Sequence, residues 1–128
     1  MALKAKALVA TTSDPRYQGT IHKWLVSKKL YDDHVRVSLA GCVKDREALM
    51  KNVRFAVKNF GVKQIFLLNS EGDLAYADRK FSDSTMEKEA HQNDLRNTKA
   101  ALRAELPKLD VHPFFISKKQ KIEEIPDL

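Results

Sequence analysis

The 128-residue sequence predicts a single α/β domain (residues 1–128), a three-layer sandwich around a central, mainly parallel sheet of four to five strands. Three observations carry that prediction. Short apolar runs alternate four times with longer stretches whose apolar residues recur at helical spacing, and such alternation builds right-handed crossovers between parallel strands. The run at 64–69, QIFLLN, is almost continuously apolar, as suits a strand covered on both faces. The length allows one sizeable core and is typical of one domain.

Residues 5–11 (AKALVAT) read as the first strand, closed by the turn residues Ser13, Asp14 and Pro15. Across 20–30, Ile21, Trp24, Leu25 and Leu30 recur near helical spacing and mark the first helix. Residues 35–39 (VRVSL) alternate as a second strand and run into Ala40, Gly41 and Cys42. From 44 to 60, Leu49, Val53, Ala56, Val57 and Phe60 line one face of a second helix, with Gly61 as its C-cap residue. The third strand is followed by a polar stretch, 70–84, that is long for a loop in a compact domain. Such a stretch is functional or carries a short helix of its own. Asp83 or Ser84 caps a third helix that runs to about Glu105, with Leu95, Thr98, Leu102 and Leu106 on its buried stripe, and Pro107 ends it. Residues 111–117 (VHPFFIS) supply the fourth strand, in which Pro113 favours a sheet edge or the first residues. The tail, 118–128, is charged, and its Ile122, Ile125 and Pro126 are available to dock or pair elsewhere.

Composition narrows the function classes. No apolar run approaches the roughly 18–20 residues a membrane span requires. The first residues, Met1 to Lys6, lead straight into a strand and lack the apolar segment of a signal peptide, so a cytoplasmic protein is expected. A single cysteine, Cys42, excludes an internal disulfide framework and a cysteine-rich zinc site. The net charge of +6 is uneven: residues 1–64 hold 13 Lys/Arg against 5 Asp/Glu, whereas 65–128 hold 10 against 12. A basic half can mark a nucleic-acid partner. Here much of the excess (Lys44, Lys51, Arg54, Lys58) falls where the polar face of an amphipathic helix belongs, and no aromatic-interleaved basic stripe accompanies it. Lys118, Lys119 and Lys121 read as part of a solvated tail.

In open α/β sheets, ligands sit outside the carboxyl ends of the strands where strand order reverses. That makes the loops at 12–16, 40–43 and 69–73 the site candidates. Their sequences are Thr12-Ser13-Asp14-Pro15-Arg16, Ala40-Gly41-Cys42-Val43 and Asn69-Ser70-Glu71-Gly72-Asp73. At these loops the chain resembles the β-carbonic anhydrase superfamily, in particular its compact carbonic anhydrase-like branch. The family's Cys-x-Asp-x-Arg is matched by Thr12 to Arg16, its Ser-Leu-Ala-Gly segment by Ser38 to Gly41, and its Asn/Asp-His-x-x-Cys-Gly-Ala-Tyr by Asn69 to Tyr76. The family's Glu…His-x-x-x-Leu helix is matched by Glu87, His91 and Leu95, and the likeness continues through Leu102, Pro107, Leu109 and Val111.

The resemblance implies that zinc ligands belong at Thr12, Ser70 and Asp73, and none of the family's ligand types stands there. Zinc binds thiolate and imidazole well and a carboxylate acceptably, at about 2.0–2.3 Å. Neutral hydroxyls do not ionise near pH 7 and are poor ligands. Without the ion, no water has its pKa drawn from 15.7 to about 7, so hydroxide attack on carbon dioxide loses its nucleophile. The family's Asp–Arg dyad survives as Asp14 and Arg16, a pair whose planar guanidinium suits bidentate contact with a carboxylate.

The expected domain therefore assigns no catalytic residue, metal or other cofactor. Its polar pocket comprises Thr12, Asp14, Arg16, Gly41, Cys42, Ser70 and Asp73, serving a small anion held against Arg16 or a scaffold role. Two alternatives stand beside it: a remodelled enzyme using Asp73, Asp14 or Cys42, and nucleic-acid binding through the basic first half, which is not favoured. Cys42 reads as a small buried apolar residue and His91 as a hydrogen-bonded structural histidine. The resemblance also implies a homodimer, with which the apolar residues of the tail are compatible.

Overall fold

A computed structural model describes residues 3–128. Met1 and Ala2, the start of the segment read as leading into the first strand, lie outside the described residues. Five strands form one sheet: β1 (Ala7–Thr12), β2 (His34–Leu39), β3 (Gln64–Ser70), β4 (Asp110–Ile116) and β5 (Ile122–Glu124). Three helices pack on it: α1 (Gln18–Ser27), α2 (Arg46–Phe60) and α3 (Ser84–Glu105). The strand order is β2-β1-β3-β4-β5, with β1 to β4 parallel and β5 antiparallel. The expected α/β sandwich and its mainly parallel sheet are therefore present.

Every residue of β1 is buried, since it lies inside the sheet with helices above and below. One core gathers Leu8, Ala10, Ile65 and Leu67 from the sheet with Leu49 and Val53 of α2 and Leu95 and Leu102 of α3. The other face packs Ala7, Val9, Leu68, Phe114 and Ile116 against Ile21, Trp24 and Leu25 of α1. Lys23 of α1 and the basic residues of α2 consequently lie on opposite faces of the sheet. Arg54 is further committed to Glu105 at 2.6 Å, so the basic half of the sequence does not form a single surface.

Several boundaries differ from the sequence expectations for local physical reasons. The first helix starts at Gln18 and stops at Ser27, leaving Leu30 outside it. Lys29 takes a left-handed conformation (φ 59°), and Leu30 N–H returns to Leu25 O at 2.9 Å. This Schellman-type ending lets Leu30 pack in the α1-side core without being helical. The second helix begins at Arg46 because Cys42–Lys44 form a 3-10 turn and Asp45 caps Ala48 N–H at 3.1 Å. Asp83 caps α3 through Met86 N–H at 2.8 Å. The long 70–84 stretch carries a 3-10 turn at Leu74–Tyr76.

Pro113 is neither on an edge strand nor at a strand start: it is the fourth residue of β4, between β3 and β5. Its carbonyl accepts from Ile125 N–H at 2.8 Å, so its nitrogen also faces the β5 side and no bond to β3 is lost. The tail is not free. It turns at Ser117–Lys121, pairs as β5 with Phe114–Ile116, and buries Ile125 to 3% exposure in the α2/α3-side core. The residues read as available for a partner are used by the chain itself.

Candidate functional site

The loops after β1, β2 and β3 meet where the sheet order changes direction, between β1 and β3. There they enclose a cleft of about 470 Å³ lined by Asp14, Arg16, Ala40, Gly72, Asp73 and Leu74, among others. Its floor is a buried clasp. Thr12 Oγ1 donates to Asp73 Oδ2 at 2.6 Å, and the same oxygen accepts from Gly41 N–H at 3.2 Å. Asp73 Oδ1 accepts from Ala75 N–H at 2.9 Å. Thr12 Oγ1 accepts in turn from Asp14 N–H at 3.0 Å. With Thr12 fully buried and Asp73 7% exposed, one carboxylate ties all three loops together. A buried charge is tolerable under these conditions, because each of its oxygens is hydrogen-bonded.

Above this floor lies the Asp14–Arg16 pair. Arg16 Nη2 and Nε donate to Asp14 Oδ2 at 2.6 and 3.2 Å, and Nε also approaches Oδ1 at 3.1 Å. The Arg16 guanidinium holds the Asp14 carboxyl below the usual carboxylate range. Arg16 Nη2 also donates to Gly72 O at 2.7 Å, joining the first loop to the third. Gln18 fastens the start of α1 to the same loop, its Nε2 donating to Thr12 O and Asp14 O at 3.1 and 2.9 Å.

Gly41 is required by geometry. Its φ is 73°, and an added Cβ would come within 2.9 Å of the Ala75 and Lys44 Cβ atoms. Cys42 follows, also left-handed at φ 51° and fully buried. Burial pushes its thiol up to about 12, so it is protonated at neutral pH and no thiolate nucleophile is available. Ser70 stands apart. Side chains alternate along β3, and Asn69 contacts His91 of α3, so Ser70 turns to the opposite face of the sheet. Its Oγ is buried with no hydrogen-bond partner, and it takes no part in the clasp.

No family model matches the chain, and no curated protein matches it. Solved structures do. The carbonic anhydrase of Streptococcus mutans superposes with a TM-score of 0.70 at 15% identity, over 98% of this chain and 86% of that one. The carbonic anhydrase of Glaciozyma antarctica gives 0.69 at 12% identity, over 98% and 85%. A β-carbonic anhydrase of Trichomonas vaginalis gives 0.61 at 14% identity, over 98% and 85%. The fold is that of the β-carbonic anhydrases.

Thr12, Ser70 and Asp73, which the sequence resemblance sets at zinc positions, do not fit the metal. Thr12 is a neutral hydroxyl already donating to Asp73, and Asp73 has both oxygens engaged by protein donors. Ser70 offers a second hydroxyl on the other side of the strand. This donor set lacks the sulfur and nitrogen that zinc prefers. Among the described residues, no group of three or more His, Cys, Asp or Glu is placed to hold a metal ion.

Behind the β-carbonic anhydrase-like cleft runs a second network that sequence reasoning resolved only in part. Glu87 Oε2 accepts from Gly72 N–H at 2.5 Å and lies 3.3 Å from His91 Nε2. His91 Nδ1 faces Asn69 Nδ2 at 2.9 Å, and Asn69 also donates to Tyr76 Oη at 3.0 Å. Tyr76 Oη donates to Asp94 Oδ2 at 2.8 Å. These contacts fix the His91 tautomer, with the proton on Nε2 and Nδ1 accepting. Burial lowers the His91 pKa, so the ring is neutral. The Glu87–His91 spacing of four was visible in the sequence; the role of Asp94 and the link to Gly72 needed the fold.

Proposed function

We propose that this protein is a non-catalytic, carbonic anhydrase-like domain whose former metal position has become a metal-free structural clasp. One observation carries the proposal: the Asp73 carboxylate is engaged by three protein donors, Thr12 Oγ1, Gly41 N–H and Ala75 N–H. A zinc site holds its loops together through coordination. Here a charge-assisted hydrogen-bond network joins the same loops, and three of the roughly four acceptor sites of Asp73 are taken by protein donors. Thiol chemistry at Cys42 finds no support, given its burial and protonation.

A small anion against Arg16 is the weaker form of this reading. Arg16 Nε and Nη2 are spent on Asp14 and Gly72, and two carboxylates share the cleft with the one guanidinium. Titration with bicarbonate, phosphate and sulfate, comparing the native chain with Arg16→Gln, is expected to show no Arg16-dependent binding. A cytoplasmic homodimer remains part of the proposal. A tetrameric β-carbonic anhydrase of Sordaria macrospora shares the fold, which supports assembly of copies here.

The deciding experiment measures zinc content and carbon dioxide hydration on protein expressed in zinc-supplemented medium. Zinc well below one ion per chain, with hydration at the uncatalysed rate, is the expected result. Stoichiometric zinc that disappears in Asp73→Asn, together with catalysed hydration, would overturn the proposal.

A further inference from the structure

A groove of about 440 Å³ lies between the start of α3 and the β4–β5 hairpin, outside the clasped cleft. Ser84, Thr85 and Lys88 line it from α3, Ser117, Lys118 and Lys119 from the hairpin, and Glu71 and Phe115 complete the wall. The sequence suggested a solvated tail for these lysines, but they ride a fixed turn. Ser117 N–H donates to Lys121 O at 2.9 Å and Gln120 N–H to Ser117 O at 2.8 Å, while Gln120 adopts a left-handed φ of 66°. The Gln120 side chain is tied to Thr20 Oγ1 and to Arg16 O, which anchors the turn against α1.

Charge accounting sets this groove apart from the Arg16 cleft. Of the acids around it, Glu71 lines the groove and keeps its charge while accepting from Lys118 N–H, Asp83 and Glu87 accept from the Met86 and Gly72 N–H groups, and Glu123 pairs with Lys88 Nζ at 3.0 Å. Among the described residues, neither Lys118 nor Lys119 has an ion-pair partner. Lysines beside a helix N-terminus oppose the positive end of its dipole, so this arrangement does nothing for helix stability. It sets three lysines against one lining carboxylate, Glu71, with hydroxyl donors on the wall, and the size falls in the range of about 300–1,000 Å³ common for small-ligand sites.

We propose that this groove binds a phosphate monoester, its dianionic phosphoryl group held by the Lys118 and Lys119 ammonium groups and the Ser84 and Thr85 hydroxyls. Lysine meets phosphate as a point charge, and hydroxyls can donate to the remaining oxygens. A carboxylate carries half that charge and fewer acceptor oxygens. Lys88 is the reserve cation, released when its contact with Glu123 opens.

The test is an NMR titration of the full isotope-labelled chain with phenyl phosphate, with benzoate as the monoanionic control. Saturable shifts are expected at the amides of Ser84, Thr85, Lys118 and Lys119, with benzoate binding more weakly. The Lys118→Gln/Lys119→Gln double variant should lose about tenfold or more in affinity. Glu123→Gln, which frees Lys88, should tighten binding. Lys58→Gln in the last turn of α2, at the opposite end of the strands, removes an exposed charge and should change affinity by less than about twofold. Equal binding of benzoate, equal losses in the Lys58 variant, or shifts confined to the Arg16–Asp73 cleft would each overturn the assignment. So would absence of phenyl phosphate binding alongside steeply salt-dependent oligonucleotide binding at the same amides, since that result identifies a nucleic-acid surface.

Discussion

At the scale of single residues, two buried hydroxyls that the sequence resemblance sets at zinc positions have opposite energetic roles. Thr12 Oγ1 supplies a 2.6 Å donor to the buried Asp73 carboxylate, whereas Ser70 Oγ has no partner. Thr12→Val keeps the shape and removes the donor, so it should destabilise the fold by about 1.5–3 kcal/mol, the range for a hydrogen bond to a charged group. Ser70→Ala removes an unsatisfied group and should be neutral or stabilising by up to about 1 kcal/mol. Urea denaturation of the two variants reads this contrast directly; equal losses would show that Thr12 is not part of a clasp. The sequence placed Thr12, Asp73 and Gly41 near one another through the loop motifs. It could not tell that Ser70 turns away, because that depends on which face Asn69 takes in the finished sheet.

At the scale of elements, periodicity located all three helices and the four parallel strands, and it failed where the chain leaves regular geometry. Leu30 extends the apolar set of Trp24 and Leu25 in the sequence, yet it packs from beyond a left-handed Lys29. Pro113 suggested an edge, but only the direction of its nitrogen mattered, and that was invisible before β5 was known. The β5 strand itself spans three residues, too few for an alternation signal. Its energetic weight is nonetheless testable. Ile125 is 3% exposed in the α2/α3-side core, so Ile125→Ala should cost about 2–5 kcal/mol. A tail that only waits for another subunit would show no change in monomer stability, and chemical denaturation at low protein concentration separates the two outcomes.

At the scale of the whole molecule, the buried network from Gly72 through Glu87, His91, Asn69 and Tyr76 to Asp94 couples α3 to the loops above the sheet. This coupling makes global stability depend on pH. His91 is fully buried and faces Glu87, Asp94 and Asp73 as charged neighbours, with Tyr76 packed on its ring at 4.0 Å. Burial outweighs the attraction of those acids and lowers the folded pKa, while the unfolded chain keeps the ordinary histidine value of about 6.5. Below that value the unfolded state binds the extra proton first, and stability rises with pH wherever the unfolded state holds more protons. The His91 contribution is therefore complete above about pH 7 and erodes as pH falls from 6.5 toward the lowered folded pKa. Further loss should set in below about pH 4, where Asp14, held low by Arg16, favours its ionised form in the folded state alone. His91→Gln separates these windows. Its amide can accept from Asn69 and donate toward Glu87 without titrating, so the slope of stability between pH 7 and 5 should flatten while the acid limb persists. An unchanged slope in that variant would mean that the network's histidine does not control the neutral-to-acid transition.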